Sequence, residues 1–233
     1  MPNPFIYFVE SENMTVSVQQ VVDAKVHIGT LKNEAHPKTN KYRADIVNWL
    51  VIIDPESIIA QIENAKSKIQ KAKSEWKEIL VVCEKKMYYE ELAKLADASW
   101  VSYLNYKIPA WFLTNFETLK KRIDSMNDMI KFIDSEDFLA LTKKEQLTYK
   151  RKFNRIDKIY KWVTKLSKKP SLVIVIDGMM LWSFVDELSK DKSIDRIIIS
   201  STNFDRYYPD NELVIANMWS YKSLDFVIKY ILS

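Results

Sequence analysis

Between Thr142 and Lys169 lie eleven lysines and arginines against two carboxylates, Glu145 and Asp157, a local excess of +9 in a chain whose formal charge is +4. The remainder therefore carries −5. A surface helix ordinarily mixes signs to limit self-repulsion, and one that does not is suited to a polyanion, because each cation placed on a phosphate releases condensed counterions. The chemistry open to such a stretch is salt-sensitive, largely sequence-independent attachment to RNA or DNA. A solvated basic face is the plainer alternative.

Groups that could catalyse are sparse. There is no GxGxxG or Walker loop, and with only Gly29 and Gly178 in the chain the backbone cannot cradle a phosphate in the usual way. His27 and His36 stand nine residues apart in a polar segment, without the spacing of a metal site. Asp54, Asp177 and Asp205 follow apolar runs, where α/β enzymes place acids and where Asp equally caps turns and helices. No nucleophile or base accompanies them. Cys83 lies inside "ILVVC", so a buried thiol is expected, and a single cysteine allows no disulfide within the chain. An intracellular protein is expected. No apolar stretch reaches the length of a membrane span, and "MPNPFIYFVESENM" has neither a signal-peptide head nor an Arg-rich transit segment, so neither membrane nor export is expected. Cofactors, metals and catalysis are expected to be absent. A doubly wound nucleotide-binding protein or enzyme with a helical arm is the competing reading.

The elements that must position these residues follow from the apolar pattern. Runs at Leu50 to Ile53, Ile79 to Cys83, Val101 to Leu104, Leu172 to Ile176 and Ile197 to Ile199, with a further one at Leu213 to Ile215, are apolar throughout, as strands covered on both faces are. Helical patterns separate them at Pro55 to Ser74, Met87 to Ala98, Met179 to Lys190 and Ser220 to Leu232, the first opening on a proline. This order predicts an α/β fold, a three-layer doubly wound parallel sheet.

Nearly seventy residues separate the third run from the fourth, more than a crossover needs. Phe116, Leu119, Ile123, Met126, Ile130 and Ile133, then Tyr149, Phe153, Ile156, Tyr160 and Val163, recur at spacings of three and four, which are the seams of an antiparallel coiled-coil hairpin. Thr142 and Glu145 have capping-box spacing and start its second helix, after the linker "DSEDFLAL". A sheet domain over residues 1–113 and 167–233 with a basic hairpin over 114–166 is predicted. Between them, "KIPAWFLTNF" forms a strand-to-helix elbow with Trp111 where glycine would be usual and with Thr114 or Asn115 as helix cap.

Taken together, these segments resemble the small-subunit ribosomal protein S-two family of bacteria and organelles over nearly the whole chain. "VHIGTLKNEAHPKTNKY" is similar to that family's His-Phe-Gly-His opening and Asn-Pro-Lys loop, departing from it at Thr30 and His36. "NWLVIIDPE", "FLTNF", "LTKKE", "PSLVIVID" and "STNFD" are similar to further family motifs, in the same order and at nearly the same spacing. The resemblance implies a flavodoxin-like strand order, a non-catalytic role in the small subunit and a cytoplasmic ribosome. It implies small-subunit rRNA and neighbouring ribosomal proteins as partners, in many bacteria including ribosomal protein S-one, and no homo-oligomer. RNA contacts are then expected at Lys38, Lys41 and Arg43 of the first loop and at Lys107, Thr114 and Asn115 of the elbow. On the hairpin they are expected at Lys143, Lys144, Lys150, Arg151, Arg155 and Lys158. Asn115 serves equally well as a helix cap.

Two glycines fall far short of the roughly 16 that an average composition would give this chain, while there are seven tryptophans. In the family pattern Trp49, Trp76, Trp100, Trp111 and Trp162 stand where glycine is expected. Some genetic codes read UGA as tryptophan and others as glycine, and a chain translated with the wrong meaning would show this exchange; a divergent protein from an AT-rich gene, with genuine aromatics at these sites, is the plainer alternative. The exchange predicts positive φ at those turns.

Overall fold

A computed structural model describes residues 16–160, 166 and 168–233, apart from the side chains of Asn127, Lys158 and Ile159. The N-terminal segment "MPNPFIYFVESENM" and, in the predicted hairpin, Lys161, Trp162, Val163 and Lys165 lie outside the described residues. Two sheets are present. The larger is parallel, in the order β5 (Ser102–Leu104), β4 (Ile79–Val82), β6 (Leu172–Ile176), β7 (Asp195–Ser200), β8 (Leu213–Ile215). Every residue of β4, β5 and β6 is buried, so this sheet is covered on both faces, as continuous apolar strands require.

The smaller sheet corrects a prediction. Leu50 to Ile53, expected as the first strand of the parallel sheet, is instead the centre (β3) of an antiparallel sheet, flanked by β1 (Ile28–Leu31) and β2 (Arg43–Val47). The cause is a two-residue turn: Asn48 and Trp49 both have positive φ, 48° and 65°, and Val47 pairs with Leu50 across them. A turn of this kind returns the chain beside itself. Its sequence signature is Asn-Gly, which Asn-Trp conceals.

The helices sit close to their predicted places. Within α2 (Pro55–Ser74) the Asp54 carboxylate caps the first turn, accepting the Ser57 N–H at 3.1 Å and its hydroxyl at 2.6 Å, and Ile58, Ile62, Ala65 and Ile69 form the buried face. It packs against α1 (Val18–Asp23), α8 (Tyr221–Leu232) and β8. A 3-10 turn over Lys86–Tyr88 delays α3 to Tyr89–Ala98, and α7 (Trp182–Lys190) starts later than Met179 because the Asp177 carboxylate first takes the Met180 N–H into a turn. None of the described helices is long and apolar enough to cross a membrane.

Between β5 and β6 run α4 (Phe116–Ile133), a short α5 (Glu136–Ala140) inside the predicted linker, and α6 (Lys143–Tyr160). The capping box at Thr142 is formed: Glu145 accepts the Thr142 N–H at 3.0 Å and its own N–H reaches the Thr142 hydroxyl at 3.4 Å. α4 and α6 touch, and the rings of Phe132 and Tyr149 lie 5.1 Å apart with Phe138 of α5 against both. Along α4 the buried face runs Phe116, Leu119, Ile123, Met126 and then Met129, whereas Ile130, assigned to the seam by spacing, is exposed.

Candidate nucleic-acid interface

Lys143, Lys144, Lys150, Arg151, Lys152 and Arg155 of α6 are all exposed. Lys144, Arg151 and Arg155 recur at intervals of seven and four, which puts them on one helix face; Lys143 and Lys150 occupy the neighbouring row. Among the described residues no ion pair joins an α6 cation to a carboxylate. The Lys150 ammonium lies 5.6 Å from the Phe138 ring centroid. A row of unneutralised cations on a regular helix is what a phosphate backbone can engage repeatedly. Lys158 belongs to α6, but its side chain is outside the described residues. Lys169 is spent elsewhere: it pairs with Asp191, and that contact, with the Ser193 hydroxyl, holds the Asp191 carboxyl well below the usual carboxylate range.

The elbow leading into α4 is held by two carboxylates of the sheet body. Glu84 accepts the Ile108 N–H at 2.7 Å, and the buried Glu187 of α7 accepts the Thr114 N–H at 2.5 Å. Both contacts join residues far apart in the chain, and no local motif announces either acid. Lys107, Thr114 and Asn115 are left exposed. Asn115 stands at the cap position of α4, yet its side chain makes no capping hydrogen bond.

The first loop is more tightly committed. Lys38 donates its ammonium to the Asp205 carbonyl at 2.7 Å, and Lys41 lies 2.5 Å from the Asp210 carboxylate, which also accepts the Tyr42 hydroxyl. Burial lowers the Lys41 pKa, but its bonds to Asp210 and Tyr42 outweigh that and hold the ammonium above its ordinary range; burial and Asp210 push the Tyr42 phenol up to about 12. Arg43 is exposed, and its side chain has no hydrogen bond or ion pair among the described residues. Beside this loop Thr30 and Thr39 converge on Thr202, the Thr30 and Thr202 hydroxyls 2.7 Å apart and the Thr39 hydroxyl 2.8 Å from the Thr202 carbonyl, so the small sheet is bolted to the turn after β7. Sequence reasoning missed that cluster, whose members are brought together only by the fold.

Of the residues considered for catalysis, Asp54, Asp177 and His36 have structural duties. Asp54 is a helix cap, and the His36 ring accepts the Lys38 N–H at 3.3 Å. At the point where strand order reverses, between β4 and β6, an open α/β sheet would bind a ligand. Here Lys85 and Asp177 close that point with a buried ion pair at 2.6 Å. Burial pushes the Cys83 thiol up to about 11. Among the described residues there is no group of three or more His, Cys, Asp or Glu side chains able to hold a metal.

The family model described as Ribosomal protein S2 matches residues 21–233. The small ribosomal subunit protein uS2 of Fusobacterium nucleatum is 30% identical over 167 residues, covering 71% of this chain and 67% of that protein. The uS2 proteins of Petrotoga mobilis, 29% identical over 162 residues, and Porphyromonas gingivalis, 27% identical over 217, cover 70% and 87% of this chain and 56% and 76% of their own lengths.

Proposed function

The chain belongs to the ribosomal protein S2 family, a structural and non-enzymatic constituent of the small ribosomal subunit, and on that premise we propose that α6 and the elbow hold it to small-subunit rRNA. The observation that carries this reading is the row of exposed α6 cations with no carboxylate partner among the described residues. Lys143, Lys144, Lys150, Arg151, Arg155 and Lys158 take phosphates as point charges or forks. Lys107, Thr114 and Asn115 add polar contacts where the chain leaves the sheet. In the first loop Arg43 is the contact best placed, while Lys38 and Lys41 reach RNA only by sharing or leaving Asp205 and Asp210. The division into a sheet body, residues 1–113 and 167–233, and an inserted antiparallel coiled-coil hairpin, 114–166, is part of the proposal. The contact between α4 and α6 supports it. Counted within the large sheet alone, the strand order 2-1-3-4-5 supports a flavodoxin-like arrangement. Neighbouring small-subunit proteins, ribosomal protein S-one among them, complete the proposed partners, and the bacterial relatives favour a cytoplasmic ribosome.

The test is co-sedimentation of the full chain with small subunits across a salt series. Binding at low salt that disappears at high salt is the expected result, and a chain left in the supernatant at low salt overturns the reading. The competing function, a nucleotide-binding protein or enzyme, requires a saturable nucleotide at the strand ends; with Lys85 and Asp177 occupying that point, none is expected to bind.

A further inference from the structure

Among the described residues, seven other than glycine have φ in the left-handed region: Lys25, Asn48, Trp49, Trp76, Trp100, Trp111 and Asp177. Asn and Asp tolerate that region because their short side chains bond locally; a bulky side chain there is a genuine outlier. Yet four of the seven are tryptophan, a residue that occurs only seven times in the chain. Each stands at a turn whose geometry asks for glycine. Trp49 is the second residue of the two-residue hairpin after Asn48. Trp76 follows α2 in a Schellman motif, with the Lys77 N–H on the Ala72 carbonyl at 2.9 Å and the Trp76 N–H on the Lys73 carbonyl at 3.1 Å. After α3 the chain repeats the longer of these bonds, the Val101 N–H meeting the Ala96 carbonyl at 3.0 Å around Trp100. Trp111 turns the elbow, with φ 59°.

Little is gained for this strain beyond a lysine ammonium over the Trp49 ring (Lys32, 5.7 Å) and another over the Trp111 ring (Lys190, 5.5 Å). Indoles are large apolar groups that normally dominate cores, but these four are 71%, 94%, 91% and 60% exposed. The two glycines of the sequence do a different job: neither has positive φ, and each sits where a Cβ would collide, with Thr202 and the Val51 carbonyl at Gly29 and with Ile198 and Phe204 at Gly178. The chain thus keeps glycine where space forbids a side chain and lacks it at these four turns, where only φ forbids one. That division has no basis in folding physics, since both demands select the same residue. Decoding accounts for the tryptophans themselves: a glycine specified by a reassigned codon is printed as tryptophan, whereas one specified by an ordinary glycine codon is printed as glycine.

We propose that Trp49, Trp76, Trp100 and Trp111 are glycines in the protein as its own cell makes it, specified by UGA codons that the cell reads as glycine. The native surface then lacks four protruding indoles. At the elbow, the face between Lys107 and Asn115 becomes open backbone and Lys190, whose ammonium lies 5.5 Å from the Trp111 ring centroid, is uncovered. Binding measured on a chain made with tryptophan there would probe a different surface.

Three measurements test this. In the gene, UGA is expected at the four codons, and UGG at any of them overturns the proposal for that residue. Mass spectrometry of peptides from the protein isolated from its own cells is expected to read glycine at all four; tryptophan overturns it. In recombinant protein, W76G and W100G are each expected to raise the thermal midpoint by about 2–4 °C through relief of the left-handed strain. W182G is the control: Trp182 is also exposed but lies outside the left-handed region, so its midpoint should stay level or fall. Unchanged or lower midpoints for W76G and W100G, or an equal rise for W182G, would show that backbone conformation is not what these tryptophans violate.

Discussion

Lys85 and Asp177 sit at the mouth of the large sheet with about a tenth of each side chain exposed, 2.6 Å apart. Neither charge has enough water around it to stand alone, so removing one partner leaves the other stranded at a cost of about 3–5 kcal/mol. Asp177→Asn keeps the shape and tolerates φ of 66°, and should lower the urea midpoint accordingly, while adding Lys85→Met should restore most of that stability. Gly178, the next residue, faces a different constraint: a Cβ there would come within 2.6 Å of Ile198 and 2.9 Å of Phe204. Gly178→Ala should therefore cost about 1–3 kcal/mol by overpacking, measured in the same denaturation series. The sequence placed Asp177 at a strand end but could not name its partner, because Lys85 lies on a neighbouring strand's exit and pairs only through the fold.

At the scale of elements, α6 divides its duties by face. Tyr149, Phe153, Ile156 and Tyr160 turn inward to half-buried or buried positions, and the cations turn outward. Reversing Lys144, Arg151 and Arg155 together to glutamate should leave the fold intact and abolish low-salt co-sedimentation with small subunits. Neutralising them singly to glutamine should reduce the slope of log affinity against log salt by roughly 0.7–0.9 for each phosphate left without its cation. Between α4 and α6, Phe138 of α5 is buried and its ring meets both Phe132 and Tyr149, so Phe138→Ala should cost about 3–5 kcal/mol, read by denaturation. The helices were legible because a period of 3.6 is written locally. The small sheet was not: β1 and β2 lack a continuous apolar run, and the turn that pairs β2 with β3 carries Trp49 in place of the residue that would mark it.

Acid should unsettle the whole molecule in a definite range. Asp54, Asp191 and Asp210 are all held below the usual carboxylate range: Asp54 by the Ser57 hydroxyl and backbone, Asp191 by Lys169 and Ser193, and Asp210 by Lys41 and Tyr42. A carboxyl with a lower pKa in the folded state contributes stability above its unfolded pKa, near 4, and loses it as pH falls through the folded value. The thermal midpoint should accordingly fall steadily below about pH 4 and remain level from there to neutrality, as far as these three groups govern it. By itself the sequence determined the α/β class, the four principal helices, the capping box at Thr142, the basic character of α6 and the family resemblance, since each rests on neighbours within a few turns or on ordered motifs. Tertiary structure alone decided that Leu50 to Ile53 joins a separate antiparallel sheet, that Glu84 and Glu187 fix the elbow, that Lys85 seals the strand ends, and that Lys38 and Lys41 are already engaged while, among the described residues, no α6 cation has a carboxylate partner. Those outcomes depend on which distant residues share space, and residue order encodes that only through the packing of the whole core.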